Sequence, residues 1–175
     1  MKMSQFDQSS EACALWQKLS RQANRDYALQ DMQKAQALYE DAMAKAVGLL
    51  NHFQETGLPL SAPSVFVVSC HNLADLLFTQ EEPEKAVLFL RRACTELVRL
   101  ASQPGLPLQA RLACVEQLRP AVVALMEREN GTLPEQPETR MLIDRARTVA
   151  LSVYQIAGYA VQTRLEDAPV TGRPS

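Results

Sequence analysis

Apolar residues recur along most of the chain every three or four positions, the spacing that places side chains on one face of an α-helix. Gly and Pro cluster between these stretches, where they would end one helix and precede the next. The pattern predicts six helices, at about 9–29, 31–55, 62–80, 83–102, 108–129 and 138–165. The run Val65-Phe-Val-Val68 is the only strand-like text. Its place inside a helical stretch favours a buried helical turn.

Serine and proline residues mark several of the expected helix ends. Ser9 and Ser61 are placed to cap helices. Pro83 and Pro137 suit a first helical turn, because proline lacks the N–H that would be unpaired there. Pro120 falls inside the fifth predicted helix, where it removes a backbone hydrogen bond. We therefore expect Pro120 to kink or split that helix.

One segment of the chain repeats. Residues 49–62 (LLNHFQETGLPLSA) align with residues 97–110 (LVRLASQPGLPLQA) at an offset of 48 and share Gly-Leu-Pro-Leu between two predicted helices. A pair of helices that recurs in this way forms a hairpin too small to bury its own apolar face, so adjacent hairpins must stack. The sequence predicts an all-α fold of three stacked antiparallel helical hairpins, an α-solenoid.

The second hairpin resembles a tetratricopeptide repeat. Its first helix carries the small Ala74, and its second helix carries the small Ala86, the large Leu90 and the small Ala93. The first hairpin has the same frame at Leu19, Ala23, Asn24, Ala35, Tyr39 and Ala42. The period, near 48 to 51 residues, is longer than the family's 34 or so, and the third hairpin fits the signature poorly. The resemblance is therefore to a divergent member, over residues 16–102.

This resemblance implies a site for a partner protein. In such domains the first helix of each hairpin, the A helix, usually faces a concave groove that binds an extended or helical peptide. Position by position, the groove would hold Gln17, Arg21, Asn24, Tyr27, His71, Asn72, Asp75 and Phe78, with Glu116, Arg119 and Met126 from the third hairpin. Amides can pair with a peptide backbone, and rings supply contact area. The alternative is that these are ordinary exposed residues of helices.

Composition and charge argue against several other classes of protein. A formal charge of −2, from 18 basic and 20 acidic residues, is unlike that of a nucleic-acid-binding domain. Only His52 and His71 are present, and the chain lacks the metal, phosphate-loop and nucleophile motifs, so we expect no enzyme activity, metal or cofactor. Four cysteines without a C-x-x-C pair indicate reduced, buried thiols. A secretory signal is not apparent, and no uninterrupted apolar run reaches about 18 residues.

Together these observations predict one domain over residues 1–165 with a flexible tail at 166–175. The expected function is that of a cytoplasmic adaptor or chaperone-like module that binds a protein or peptide, with no nucleic acid or membrane partner. One alternative is a small-ligand-binding or enzymatic bundle with a pocket around Tyr27, His71 and Asp75.

A further alternative is a structural homo-oligomer, such as a homodimer, formed through the last helix. Tyr154, Ile156, Tyr159 and Val161, with Gly158 between them, would either complete the core or form the surface of the dimer.

Overall fold

The computed structural model describes residues 5–132 and 137–166, with side chains over 9–129 and 137–162. Within these residues the chain forms six helices: α1 (Gln5–Ala28), α2 (Met32–Thr56), α3 (Ala62–Thr79), α4 (Pro83–Ala101), α5 (Leu108–Thr132) and α6 (Pro137–Glu166). The predicted all-α class is confirmed. The tail expected at 166–175 lies, from residue 167 onward, outside the described residues.

The two predicted serine caps differ in outcome: Ser61 is the N-cap residue of α3, although its side chain forms no capping hydrogen bond, whereas the prediction for Ser9 is wrong. Helix α1 begins at Gln5, so Ser9 lies inside the helix and does not cap it. Helix α5 continues through Pro120, so of the kink or split predicted there, the split does not occur. Pro120 and Glu116, the residue four positions earlier, are both exposed. Water can therefore solvate the Glu116 carbonyl that proline leaves without an N–H partner.

The helices pack as three hairpins, α1–α2, α3–α4 and α5–α6, and the stack also brings α3 against α5 and α4 against α6. The A helices α1, α3 and α5 run parallel. The Trp16 indole N–H donates to the Ser69 hydroxyl at 2.8 Å, across 53 positions of sequence. An Arg128–Asp75 ion pair joins α5 to α3 at 3.0 Å, also across 53 positions. Because both contacts join residues 53 positions apart, each A helix occupies an equivalent place relative to the A helix before it.

The small residues of the repeat frame are buried among the helices. The alanines of the tetratricopeptide-like frame are no more than 1% exposed: Ala23, Ala35, Ala42, Ala74, Ala86 and Ala93. The third hairpin uses Ala110, Cys114 and Ala121 in the same way on α5. The strand-like run is helical, and Val65, Phe66 and Val67 are buried in the core as predicted.

A buried polar network ties the third hairpin to the second. Arg91 of α4 forms an ion pair with Glu129 of α5, whose side chain is 4% exposed. The Arg91 Nε donates to the Thr139 hydroxyl of α6 at 3.1 Å, and that hydroxyl donates to Glu129 at 2.9 Å. Because each group is paired, the cost of burying the two charges is offset. The network fixes the position of α6 against α4.

Helix α3 is the most apolar element. By length and composition it could cross a membrane, with a mean hydropathy of 1.2 over Ala62–Thr79. In the fold, 61% of this stretch is buried among the other helices. Its place in the core accounts for its apolar character.

The two Gly-Leu-Pro-Leu segments, which link α2 to α3 and α4 to α5, lie against each other. Gly57 ends α2 with a φ of 77°, and its N–H donates to the Phe53 carbonyl. A Cβ at Gly57 would lie 3.1 Å from the Pro107 ring. The sequence repeat is therefore also a point of contact between neighbouring repeats.

Because of this contact, we expect the two repeated glycines, Gly57 and Gly105, to differ in how well they tolerate substitution by alanine. Gly57→Ala should lower the free energy of unfolding by about 1–3 kcal/mol, because alanine is strained at this φ and its methyl group meets Pro107. Gly105→Ala is the matched control, since a Cβ there would meet nothing within 4 Å. Its effect should stay within about 0.5 kcal/mol. Urea unfolding followed by circular dichroism measures both, and equal losses would contradict the role of the contact.

Candidate functional site

The site with the most polar chemistry lies on the single exposed stripe of α3. Val68, Asp75 and Thr79 are exposed, and Asn72 is half-buried between them. Their spacing of four, three and four residues places all of them on one helical face. Helix α1 reaches one side of this stripe at Ser69. On the other side, α5 places Arg128 over the Phe78 ring, 4.7 Å from its centroid. We call this stripe and its two flanks the groove.

One end of the groove deepens into a cavity of about 430 Å³. Its lining comes from α1, α2, α3 and α5: Tyr27, Tyr39, Asn72, Asp75, Phe78, Thr79 and Arg128. Three aromatic rings and four polar side chains therefore face one space.

Hydrogen bonds fix the phenol groups on the α1 side. The Tyr27 and Thr79 hydroxyl oxygens lie 2.6 Å apart, and Thr79 donates to the Asp75 carbonyl at 3.1 Å. Thr79 thus accepts from Tyr27. The Tyr39 hydroxyl donates to the Asn24 amide oxygen at 2.7 Å. Burial raises the pKa of Tyr39, which keeps its phenol protonated as a donor.

The opposite side of the cavity carries a pair of opposite charges. Arg128 and Asp75 meet at 3.0 Å, and their side chains are 51% and 57% exposed. An ion pair this exposed contributes at most about 1 kcal/mol, because water screens it. A carboxylate from a partner could therefore replace Asp75 at Arg128, or a partner's cation could bind Asp75, at little cost.

Asn72 is the polar group on the groove floor that is open to a ligand. Among the described residues, its side-chain amide forms no hydrogen bond. The amide offers two donors and an acceptor, which is what an extended peptide backbone requires.

The structure brings together only part of the predicted site. Tyr27, Asn72, Asp75 and Phe78 line the cavity as a group. The other predicted groove residues lie outside its lining: Gln17, Arg21, Asn24, His71, Glu116, Arg119 and Met126. Of these, Asn24 positions Tyr39 and His71 is half-buried, whereas the others are exposed on α1 or α5.

Three lining residues were not anticipated from the sequence. Tyr39 occupies the large-residue position of the repeat frame, and its hydroxyl nevertheless reaches the cavity edge. Thr79 is the last residue of α3, and Arg128 lies in the hairpin that fits the repeat signature least. The offset of 53 residues between Arg128 and Asp75 is the signal that could have located Arg128, had the A helices been aligned by period.

His71 differs from the cavity residues in its surroundings. Its Nε2 atom is buried and has no hydrogen-bond partner. Burial lowers the pKa of the imidazole, while the nearby Asp75 carboxylate opposes that shift. Because His71 does not line the cavity with Tyr27 and Asp75, the three do not form the pocket considered from the sequence.

Among the described residues, the cysteines are mostly buried and the side chains that could bind a metal ion are scattered. Burial raises the pKa of Cys70, Cys94 and Cys114 to about 12, so each stays a neutral thiol. All four cysteines are free, and Cys13 is half-buried. Within the part of the chain that is described, no three His, Cys, Asp or Glu side chains are grouped to hold a metal ion.

A second, mainly apolar cavity of about 640 Å³ lies between the start of α1 and the first Gly-Leu-Pro-Leu segment. Leu58 and Leu60 of that segment form part of its wall and are 55% and 47% exposed. Leu106, the counterpart of Leu58, is only 6% exposed. Among the described residues, the first segment is less covered than the second.

The lowered pKa of His71 predicts a pH dependence of stability. The unfolded chain takes up a proton near pH 6.5, whereas the folded chain takes it up only at lower pH. Stability should therefore be complete above pH 6.5 and fall as the pH drops below it. His71→Gln should reduce this loss, and His52→Gln, which retains His71, should not. Urea unfolding at pH 7.5 and 5.5 measures the free energy of unfolding at each pH. The same loss of that free energy between the two pH values in wild type and His71→Gln would refute the prediction.

Comparison with known proteins identifies a family. The same comparisons found no matching curated protein and no matching solved structure. Residues 14–158 match the model of a family described as "Protein of unknown function (DUF2753)". The match runs from α1 into α6 and includes every residue that lines the groove cavity. Because it covers most of the chain, the protein belongs to the DUF2753 family.

Proposed function

We propose that the protein is a non-enzymatic, cytoplasmic interaction module, adaptor-like or chaperone-like, that binds an extended or helical segment of a partner protein in the groove. One observation carries the proposal. Helices α2, α4 and α5, with Trp16 of α1, cover most of α3 and leave one polar stripe exposed between the A helices α1 and α5. The buried alanines at the helix contacts support kinship of these hairpins with tetratricopeptide repeats.

The dimensions of the groove suit a short peptide. From Val68 to Thr79 the stripe covers about 16 Å, at 1.5 Å per helical residue. An extended peptide advances about 3.3 Å per residue, so roughly five residues would span the stripe. Asn72 lies near the middle, where its amide could pair with the peptide backbone.

The chemistry at the deep end favours a partner side chain with both apolar and charged parts. The Tyr27 and Phe78 rings provide contact area, and the weak Arg128–Asp75 pair provides a charge of each sign. An acidic residue next to an apolar one would place its carboxylate at Arg128. Such exchange of ion-pair partners gives specificity and costs little binding energy.

A small-molecule ligand is the second candidate. The cavity volume of about 430 Å³ falls within the range of small-ligand sites. Such sites are mostly apolar with few polar groups, whereas four of the seven lining residues here are polar. The exposed stripe continues from the cavity to Val68, and this open extension favours a peptide over a small molecule as the ligand.

The test compares two matched double variants of the full chain. Asn72→Ala with Arg128→Ala removes the open amide and the cation that would bind the partner's carboxylate. Asn51→Ala with Lys45→Ala removes the same types of group, an amide and a cation, from exposed positions of α2. Partners captured by crosslinking in host lysate are identified, and the crosslinked segment is made as a peptide for affinity measurement by calorimetry.

We expect the groove variant to bind that peptide at least tenfold more weakly than wild type, a loss of about 1.4 kcal/mol. The α2 variant should bind like wild type, and both should keep the wild-type circular dichroism spectrum. Equal binding by the two folded variants would contradict the proposal. Binding of a small metabolite that is lost only in the groove variant would support the second candidate.

A further inference from the structure

The end of α6, after Val153, extends beyond the core. The helix has 30 residues and is about 45 Å long, whereas α4, against which it packs, has 19 residues and is about 28 Å long. Its buried side chains are Thr139, Ala146 and Val153. Among the described residues that follow, 154–162, none is buried. This part of α6 therefore presents most of its surface to the surroundings.

An apolar stripe runs along the exposed face of α6 from Leu151 to Val161. Leu151, Tyr154 and Val161 are 59%, 53% and 60% exposed. With Gly158 they are spaced three, four and three residues apart, the spacing of a seam between two paired helices. We call these four residues the α6 stripe.

The α6 sequence around the stripe carries no charge. From Thr148 to Thr163 the sequence has no Asp, Glu, Lys or Arg, although such residues make up 22% of the chain. The cores of protein–protein interfaces are depleted of charge and enriched in tyrosine. An uncharged face can also meet an identical face without like-charge repulsion.

The spacing of the stripe suits pairing with a second copy. Three, four, three reads the same in both directions, so two antiparallel α6 helices place Leu151 opposite the other copy's Val161. In that alignment each Tyr154 lies opposite a Gly158, where a Cβ would meet nothing within 4 Å. A parallel pair would instead oppose Tyr154 to Tyr154 and leave a gap at the glycines. Antiparallel helix dipoles also attract.

We propose that the protein forms a two-fold homodimer through antiparallel pairing of the α6 stripe. Helix α6 is the second helix of its hairpin, whereas the groove lies on the A helices, so dimerisation leaves the groove open. The proposal does not depend on the function assigned to the groove. The contact is small for a stable dimer, so we expect micromolar affinity.

Sedimentation analysis of two glycine variants tests the dimer. Gly158→Glu places a bulky charge where the partner's Tyr154 would pack. Gly48→Glu is the control, because Gly48 is also an exposed helical glycine with nothing within 4 Å of a Cβ. Both changes leave the monomer core untouched. Wild type and Gly48→Glu should approach twice the 19.5 kDa mass at high concentration. Gly158→Glu should raise the dissociation constant at least tenfold.

Disulfide trapping tests the orientation. In a Cys13→Ser background, Leu151→Cys and Val161→Cys chains should crosslink when they are mixed and oxidised, and each alone should not. A wild-type chain that stays monomeric at its solubility limit overturns the proposal, as does a dimer unaffected by Gly158→Glu. Crosslinking of each variant with itself indicates a parallel pair and overturns the antiparallel arrangement.

Discussion

The rest of the structure depends on the packing of α3 between the flanking hairpins. Phe66 and Leu76 of this helix are no more than 1% exposed, and each such side chain contributes about 1.5–3 kcal/mol when buried. Helices α2, α4 and α5 pack directly on α3, and Trp16 of α1 hydrogen-bonds to it. What these neighbours leave uncovered is one stripe, and that stripe is the floor of the groove. The candidate site is therefore a consequence of how the core is closed.

A stack of repeats leaves its two ends without the neighbour that each inner repeat has. At the first end, Leu58 and Leu60 border the apolar cavity of about 640 Å³. At the other end, α6 passes beyond α4 and exposes the α6 stripe. The middle of the stack shows the contrast, because there the second Gly-Leu-Pro-Leu segment lies against the first and Leu106 is buried. Among the described residues, part of the exposed apolar surface therefore lies where the repeat pattern ends.

Much of this fold follows from local sequence. Six helices with nearly correct bounds follow from helical periodicity and from Gly and Pro punctuation, because both act within a few residues. The buried alanines follow from the repeat frame. Ser9 was misjudged because a capping residue has the same sequence signature whether a helix begins there or a turn earlier. Pro120 does not split α5, because the cost of a proline inside a helix depends on whether the carbonyl it leaves unpaired can reach water.

The candidate site was harder to anticipate, because its contacts join distant residues. Tyr27, Asn72, Asp75 and Phe78 were found through the repeat frame, which encodes which face of an A helix points outward. Arg128 reaches Asp75 across 53 positions, and the Arg91–Glu129–Thr139 network joins three helices. Such pairings depend on how the hairpins stack, which periodicity within one helix does not specify.

Native-state hydrogen exchange, read by mass spectrometry across the whole chain, tests the central position of α3 most directly. If α3 is the helix on which the stack depends, its amides open only with global unfolding and exchange most slowly. Amides near the end of α6, around Tyr159, should exchange fastest among the helical ones. Exchange of α3 as fast as that of the α6 end would contradict the account, because a loosely held α3 could not support the groove.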